Sequence, residues 1–256
     1  MQDHYASRVI YPIVGVAIIV VAWWALCRFL AIPEVVLPTP DQVVEAFIGN
    51  LPFLLKEGWV TLIETLLGFV LALVIGVPMA VAIANSRPLN LMFYPLLVGL
   101  QSVPKVALAP IVLVWLGTGL ESKLAIVWLV AFFPIIIDTA EGLRSTPREL
   151  IQLARSLKAS PLQILFKVQF PAALPFVLTG AKVAITLAVI GAVIGEFMGA
   201  SKGLGFLLLS ATSQLNTPLA FAALFALSFL GLAVYGAVEA AEALLARWLP
   251  HRSVNR

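Results

Sequence analysis

Cysteine is nearly absent from this chain of 256 residues. Cys27 stands alone, which excludes an intrachain disulfide and any zinc cage built on thiolates. Histidine is almost as scarce: His4 and His251 sit at opposite ends, so no metal site is expected. Charge is thin as well, with 11% of residues charged and 61% hydrophobic. Soluble domains carry about 25% charged and about 45–50% apolar residues. Mean hydropathy is +1.04, and a globule of 27.5 kDa could not bury so much apolar surface, so lipid is the expected solvent. Reactive motifs are missing too. No glycine is followed by lysine, so the phosphate-cradling G-x-x-x-x-G-K-[ST] loop of an ATPase is excluded. There is no H-E-x-x-H, so a zinc protease is not indicated. An enzyme is not expected. No cofactor is expected in this chain.

What is present is a set of long apolar runs. Six spans can be drawn, at 9–30, 59–84, 91–116, 120–140, 174–198 and 218–247, giving an all-α, polytopic helical bundle in one domain, 1–256. The first run is too long for a signal-peptide core, and no small-x-small cleavage site follows it. Pro95, Pro104 and Pro110 make the third span the candidate for a broken helix. Lys and Arg set the orientation. With an even number of spans, one side receives ten: Arg8, Arg87, Arg144, Arg148, Arg155, Lys158, Lys167, Arg247, Arg252 and Arg256. The other receives three, Lys56, Lys123 and Lys202. The basic side is expected in the cytoplasm, with both termini. This asymmetry accounts for the net charge of +3 without nucleic acid as a partner.

The only long polar interior stretch is 141–171, EGLRSTPRELIQLARSLKASPLQILFKVQFP. Thr146-Pro147-Arg148-Glu149 has the form of a capping box, and Ser160-Pro161-Leu162-Gln163 starts a second helix in the same way. Leu150, Leu153, Ala154 and Leu157 recur on one helical face. Two short tandem helices are expected, the second ended by Pro171 and Pro175. Such a helix either lies on lipid headgroups or enters a groove on a partner. Upstream, Thr39-Pro40-Asp41-Gln42 caps a helix whose Val43, Val44, Phe47 and Ile48 suggest a surface-lying amphipathic segment.

Lys105 and Glu196 are the ionisable residues expected inside the membrane. Lys105, with Gln101 and Ser102, either lines a translocation pathway or reaches headgroups beyond Pro104. Glu196 either lines an outer gate or packs near the outer surface. Lys182 is expected to snorkel to the inner interface. Glu64, Asp138 and Glu141 read as interfacial, and Trp23, Trp24, Trp115, Trp128 and Trp248 as interfacial or lipid-facing. Gly191, Gly195, Gly199 and Gly203 recur every four residues and permit close helix contact, within one bundle or between subunits.

The polar stretch resembles the cytoplasmic EAA loop of the membrane subunits of bacterial ABC importers. The pattern E-A-A, three residues, G, nine residues, I-x-L-P falls on Gln152-Leu153-Ala154, Lys158 and Val168-Gln169-Phe170-Pro171. Only Ala154 and Pro171 match outright. With lysine at 158 in place of glycine, the helix is expected to run one residue further. The blocks PTPDQVVEAF, SVPKVALAPIVLVWLG, PRELIQLARSLKAS, FPAALPFVLTG and GEFMGASKGLGFLL resemble the nitrate/sulfonate/taurine-type branch over roughly 10–248. The resemblance implies a MetI-like permease fold of type I importers. It implies a coupling helix whose contact residues are Glu149, Gln152, Leu153, Ala154, Arg155 and Lys158, with Pro171 closing the motif. It implies a homodimer in the bacterial inner membrane, a pair of ABC ATPase subunits that bind ATP and Mg, and an extracytoplasmic solute-binding protein. The branch carries sulfonates, nitrate, bicarbonate, pyrimidine precursors, riboflavin and aromatic acids. The competing class is an ion-coupled transporter or channel that uses Lys105 and Glu196 without an ATPase.

Overall fold

A computed structural model describes the backbone of residues 2–246 and the side chains of 10–245. The basic residues Arg247, Arg252 and Arg256, with Trp248 and His251, lie outside the described residues, as do the side chains of His4 and Arg8. In chain order the helices are α1 (Gln2–Phe29), α2 (Pro40–Gly49), α3 (Leu51–Asn85), α4 (Arg87–Gln101), α5 (Ala109–Leu116), α6 (Leu120–Arg144), α7 (Arg148–Ser156), α8 (Pro161–Ile164), α9 (Phe170–Phe197), α10 (Leu204–Ser213) and α11 (Thr217–Ala246). A 3-10 turn, Lys105–Leu108, leads into α5, and a π turn, Leu165–Gln169, leads into α9.

The core is a three-helix stack with α6 between α3 and α9. Val127, Ala131, Ile135 and Ile136 of α6 meet Ala72 and Ala80 of α3 and Ala184, Ile185, Ala188 and Ala192 of α9. Without a hydrophobic drive between helices in lipid, small residues and close packing hold the stack. Gly68 and Gly76 of α3 face Val127 and Ile135, so α3 and α6 run the same way. Gly180, Gly191 and Gly195 of α9 face Asp138, Val127 and Lys123, so α9 runs the other way. A Cβ on Gly191 would stand 2.9 Å from the Val127 Cα. Gly191 and Gly195 therefore serve packing inside this chain. Gly199 and Gly203 lie beyond the helix, with φ of +152° and +108°.

Parallel α3 and α6 oblige the intervening chain to return across the bundle. The α4–α5 pair does so, bent by 94° at its break. Pro104 is the cause: it has no amide to donate and keeps Val103 out of the helical region. At the other loop, the second short helix does not end at Pro171 and Pro175. Instead α8 runs through the π turn into α9 as one apolar stretch, Pro161–Phe197. The Pro171 ring cannot accommodate the carbonyl four residues back, and a π turn is one of the forms in which a helix absorbs such a defect.

Several expectations made from local pattern are corrected by through-space contacts. Leu51–Gly58 is helix, not loop, with Pro52 in its first turn. Val43 of α2 is buried instead of lying on a surface, while Val44 and Ile48 are exposed. Trp23 is not an interfacial anchor; its Nε1 donates to the Pro38 carbonyl at 3.1 Å and its ring packs on Phe221 and Phe225. Lys182 pairs with Glu242 of α11. Lys123 is not a loop charge: it sits in α6 with its Nζ 2.6 Å from Glu64 Oε1, and Glu64 is buried, not interfacial.

Candidate functional site

Helix α7 starts one residue later than its capping motif suggests. Pro147 takes the cap position, so Thr146 loses its register with Glu149. Thr146 is buried and its hydroxyl has no partner. The second box does form: Gln163 N–H donates to Ser160 Oγ at 3.3 Å, and Ser160 N–H donates to Gln163 Oε1 at 2.8 Å.

The end of α7 settles the question raised by Lys158. The helix does not run on. Lys158 adopts φ +56°, the left-handed conformation usual for glycine. Its amide donates to the Arg155 carbonyl at 2.9 Å, and the Ala159 amide donates to the Ala154 carbonyl at 3.0 Å. This is a Schellman motif with lysine at the left-handed position. A lysine there costs about 1–2 kcal/mol over glycine, and two hydrogen bonds offset the strain.

The outward face of α7 is apolar. Leu150, Leu153 and Leu157 are exposed, and so are Leu162 and Phe166 beyond the turn. Glu149, Gln152, Arg155 and Lys158 are exposed around them. Ala154 differs from its predicted neighbours: it is buried, turned toward α8 and the π turn. Pro171 is half-buried in the first turn of α9, away from α7 in the chain. The sequence signal for the leucine face was its i, i+3, i+7 spacing.

The second candidate lies at the α4–α5 break. Gln101 and Ser102 are exposed and Lys105 is half-buried. Lys105 Nζ donates to the Gln101 carbonyl at 3.1 Å and stands 5.0 Å from the centroid of Phe133. Lys123 and Lys182 each pair with a glutamate; among the described residues Lys105 has no carboxylate partner. Glu196 is not part of this group. It is 1% exposed, accepting from Thr61 Oγ1 at 2.7 Å and from Gly205 N–H at 2.6 Å. Lys105 and Glu196 do not pair with each other. An apolar cleft of about 340 Å³, lined by Phe47, Leu55, Trp59, Leu62 and Phe229 among others, has no ionisable lining group and offers no polar solute a partner.

Comparison with known proteins agrees with this arrangement. A probable ABC transporter permease protein of Haemophilus influenzae is 33% identical over 247 residues, covering 96% of this chain and 98% of that protein. The formylaminopyrimidine transport permease protein ThiX of Halalkalibacterium halodurans is 34% identical, covering 93% and 95%. The riboflavin transport system permease protein RibX of Chloroflexus aurantiacus is 36% identical, covering 94% and 92%. Among solved structures, an inward-facing MetNI methionine ABC transporter chain superposes with a TM-score of 0.57 at 27% identity, covering 73% of this chain and 96% of that one. The profile of the binding-protein-dependent transport system inner membrane component matches residues 72–247, from within α3 to the end of α11, and the chain belongs to that family.

Proposed function

We propose that this chain is one of two identical permease subunits of an ATP-driven importer, and that α7 is the helix through which a separate ATPase subunit moves it. The observation that carries this reading is the exposed leucine face of α7, ringed by Glu149, Gln152, Arg155 and Lys158. Exposed leucines grouped on one face of a polar loop suit a groove on a partner. The count of basic residues supports placing this loop and both termini in the cytoplasm. ATP and Mg belong to the partner, and a solute-binding protein presents the solute on the opposite side. The names of the relatives support a small organic solute, of the size of a pyrimidine or flavin. Purification in mild detergent from the native host tests the assembly: a stoichiometric P-loop ATPase should accompany the chain. Uptake by the purified chain alone, driven by an ion gradient, overturns the reading.

Gln101, Ser102 and Lys105 then line the pathway at the break. Discontinuous helices place backbone and side-chain polar groups at membrane depth, where a solute can use them. Lys105→Met should lower uptake of the solute found on the partner binding protein by about 10- to 100-fold, the worth of one charge-assisted hydrogen bond. Insertion and ATPase binding should be unchanged. Equal uptake by Lys105→Met removes Lys105 from the pathway.

A further inference from the structure

At the end of the bundle opposite α7, three consecutive amides at the start of α10 are each held by a side chain from another helix. Gly203 N–H donates to Glu57 Oε2 at 2.6 Å, Leu204 N–H to Thr61 Oγ1 at 2.9 Å, and Gly205 N–H to Glu196 Oε2 at 2.6 Å. The Thr61 hydroxyl donates in turn to Glu196 Oε1 at 2.7 Å, closing the network. Glu57, Thr61 and Glu196 are 5%, 0% and 1% exposed. Both glycines are required by the close approach: a Cβ on Gly203 would run into the Glu196 carboxylate, and one on Gly205 would stand 2.6 Å from Glu196 Oε2. Glu57 and Thr61 precede the residues matched by the family profile, whereas Glu196 and α10 lie within them.

The first amides of a helix have no partner inside it. Had α10 only rested on the membrane surface, water could serve them and the helix could tilt freely. Here water is excluded, and each amide that left its acceptor would be buried unpaired. The carboxylates also face the positive end of the helix dipole. The contrast with the broken span is sharp. Four residues of α10 are buried, Leu204, Gly205, Leu207 and Ala211, but α4 buries only Leu97 and α5 only Ala109. We propose that Glu57, Thr61 and Glu196 are positioning residues that fasten α10 to α3 and α9, so that these helices move as one body and α10 is a fixed cap, not a gate. Opening at this end is left to the loosely held α4–α5 segment.

Hydrogen exchange of the full chain in lipid nanodiscs tests the fastening without any partner. Wild-type amides over 199–213 should exchange slowly. Thr61→Val and Glu196→Gln should each raise exchange there by about tenfold or more, with 120–144 unchanged. Thr61→Ser keeps the hydroxyl and should keep wild-type protection. Unchanged exchange in Thr61→Val overturns the proposal. So does equal loss in Thr61→Ser, because packing and not the hydroxyl would then hold α10. Motion is tested in the assembled transporter, an arm that rests on the function proposed above. Spin labels at Leu71→Cys and Leu209→Cys should keep one distance between nucleotide-free and ATP-bound states, whereas labels at Val114→Cys and Leu71→Cys should change theirs. A Leu71–Leu209 distance that shifts with nucleotide refutes the single body. If no ATPase joins the chain, the exchange measurements still decide the fastening.

Discussion

Leu153→Asp is expected to abolish ATP-driven uptake while the chain still inserts and folds. Leu153 is 58% exposed, so most of its surface makes no contact within the subunit. The whole effect falls on whatever covers it. A carboxylate pressed into an apolar groove without a partner costs several kcal/mol, and a central interface residue is worth about 2 kcal/mol or more. The affinity for the ATPase should fall by roughly 30-fold or more. Three readings check this: an unchanged size-exclusion profile, loss of ATPase from affinity-purified complexes, and loss of uptake. Wild-type uptake by Leu153→Asp counts decisively against α7 as the docking helix. Ala154→Arg is a poorer probe than Leu153→Asp. Ala154 is buried and its carbonyl receives the Ala159 amide, so arginine there deforms the loop from within. Loss of uptake in that variant would not separate docking from folding.

The parts of the fold legible in the sequence are those set by solvent. Apolar runs of span length declare themselves because lipid tolerates little else, and the proline at 104 marked the span that breaks. Helix α7 and its leucine face were visible from their spacing. Its details were not, because each turns on a choice between two local solutions. Thr146 and Pro147 compete for the cap, and Pro147 takes it. Lys158 could prolong α7 or turn left-handed, and the two Schellman hydrogen bonds decide for the turn. Helix α10 went unread because its glycine-rich approach reads as loop; its acceptors, Glu57 and Thr61, lie more than 140 residues earlier in the chain. Glu196 was left between an outer gate and packing near the outer surface, because a carboxylate in a span is expensive. It is expensive, and the amides and hydroxyl around it supply the reason for its presence.

Lys123 carries the other large effect. Counting charges assigned it to a loop, yet its side chain is only 11% exposed and that of Glu64 only 3%. Lys123 Nζ is 2.6 Å from Glu64 Oε1, and Glu64 Oε2 has no hydrogen-bond partner. The lysine is therefore nearly all that compensates the burial of this carboxylate. Replacing Lys123 by methionine keeps the length of the side chain and the packing of its stem against Gly195, but strands Glu64. Breaking a buried pair from one side costs about 3–5 kcal/mol, which should lower the melting temperature in nanodiscs by roughly 10 °C. The double variant Lys123→Met/Glu64→Met should recover most of that loss, because two apolar side chains of similar volume replace the ion pair without leaving a charge behind. The direction of the double variant separates two explanations. If α6 is held to α3 by packing around Val127, the ion pair adds little and the double variant melts near wild type. If the pair itself holds the helices together, the double variant melts as low as Lys123→Met. The glycines at 68 and 191, which bring both neighbouring helices onto Val127, favour the first outcome.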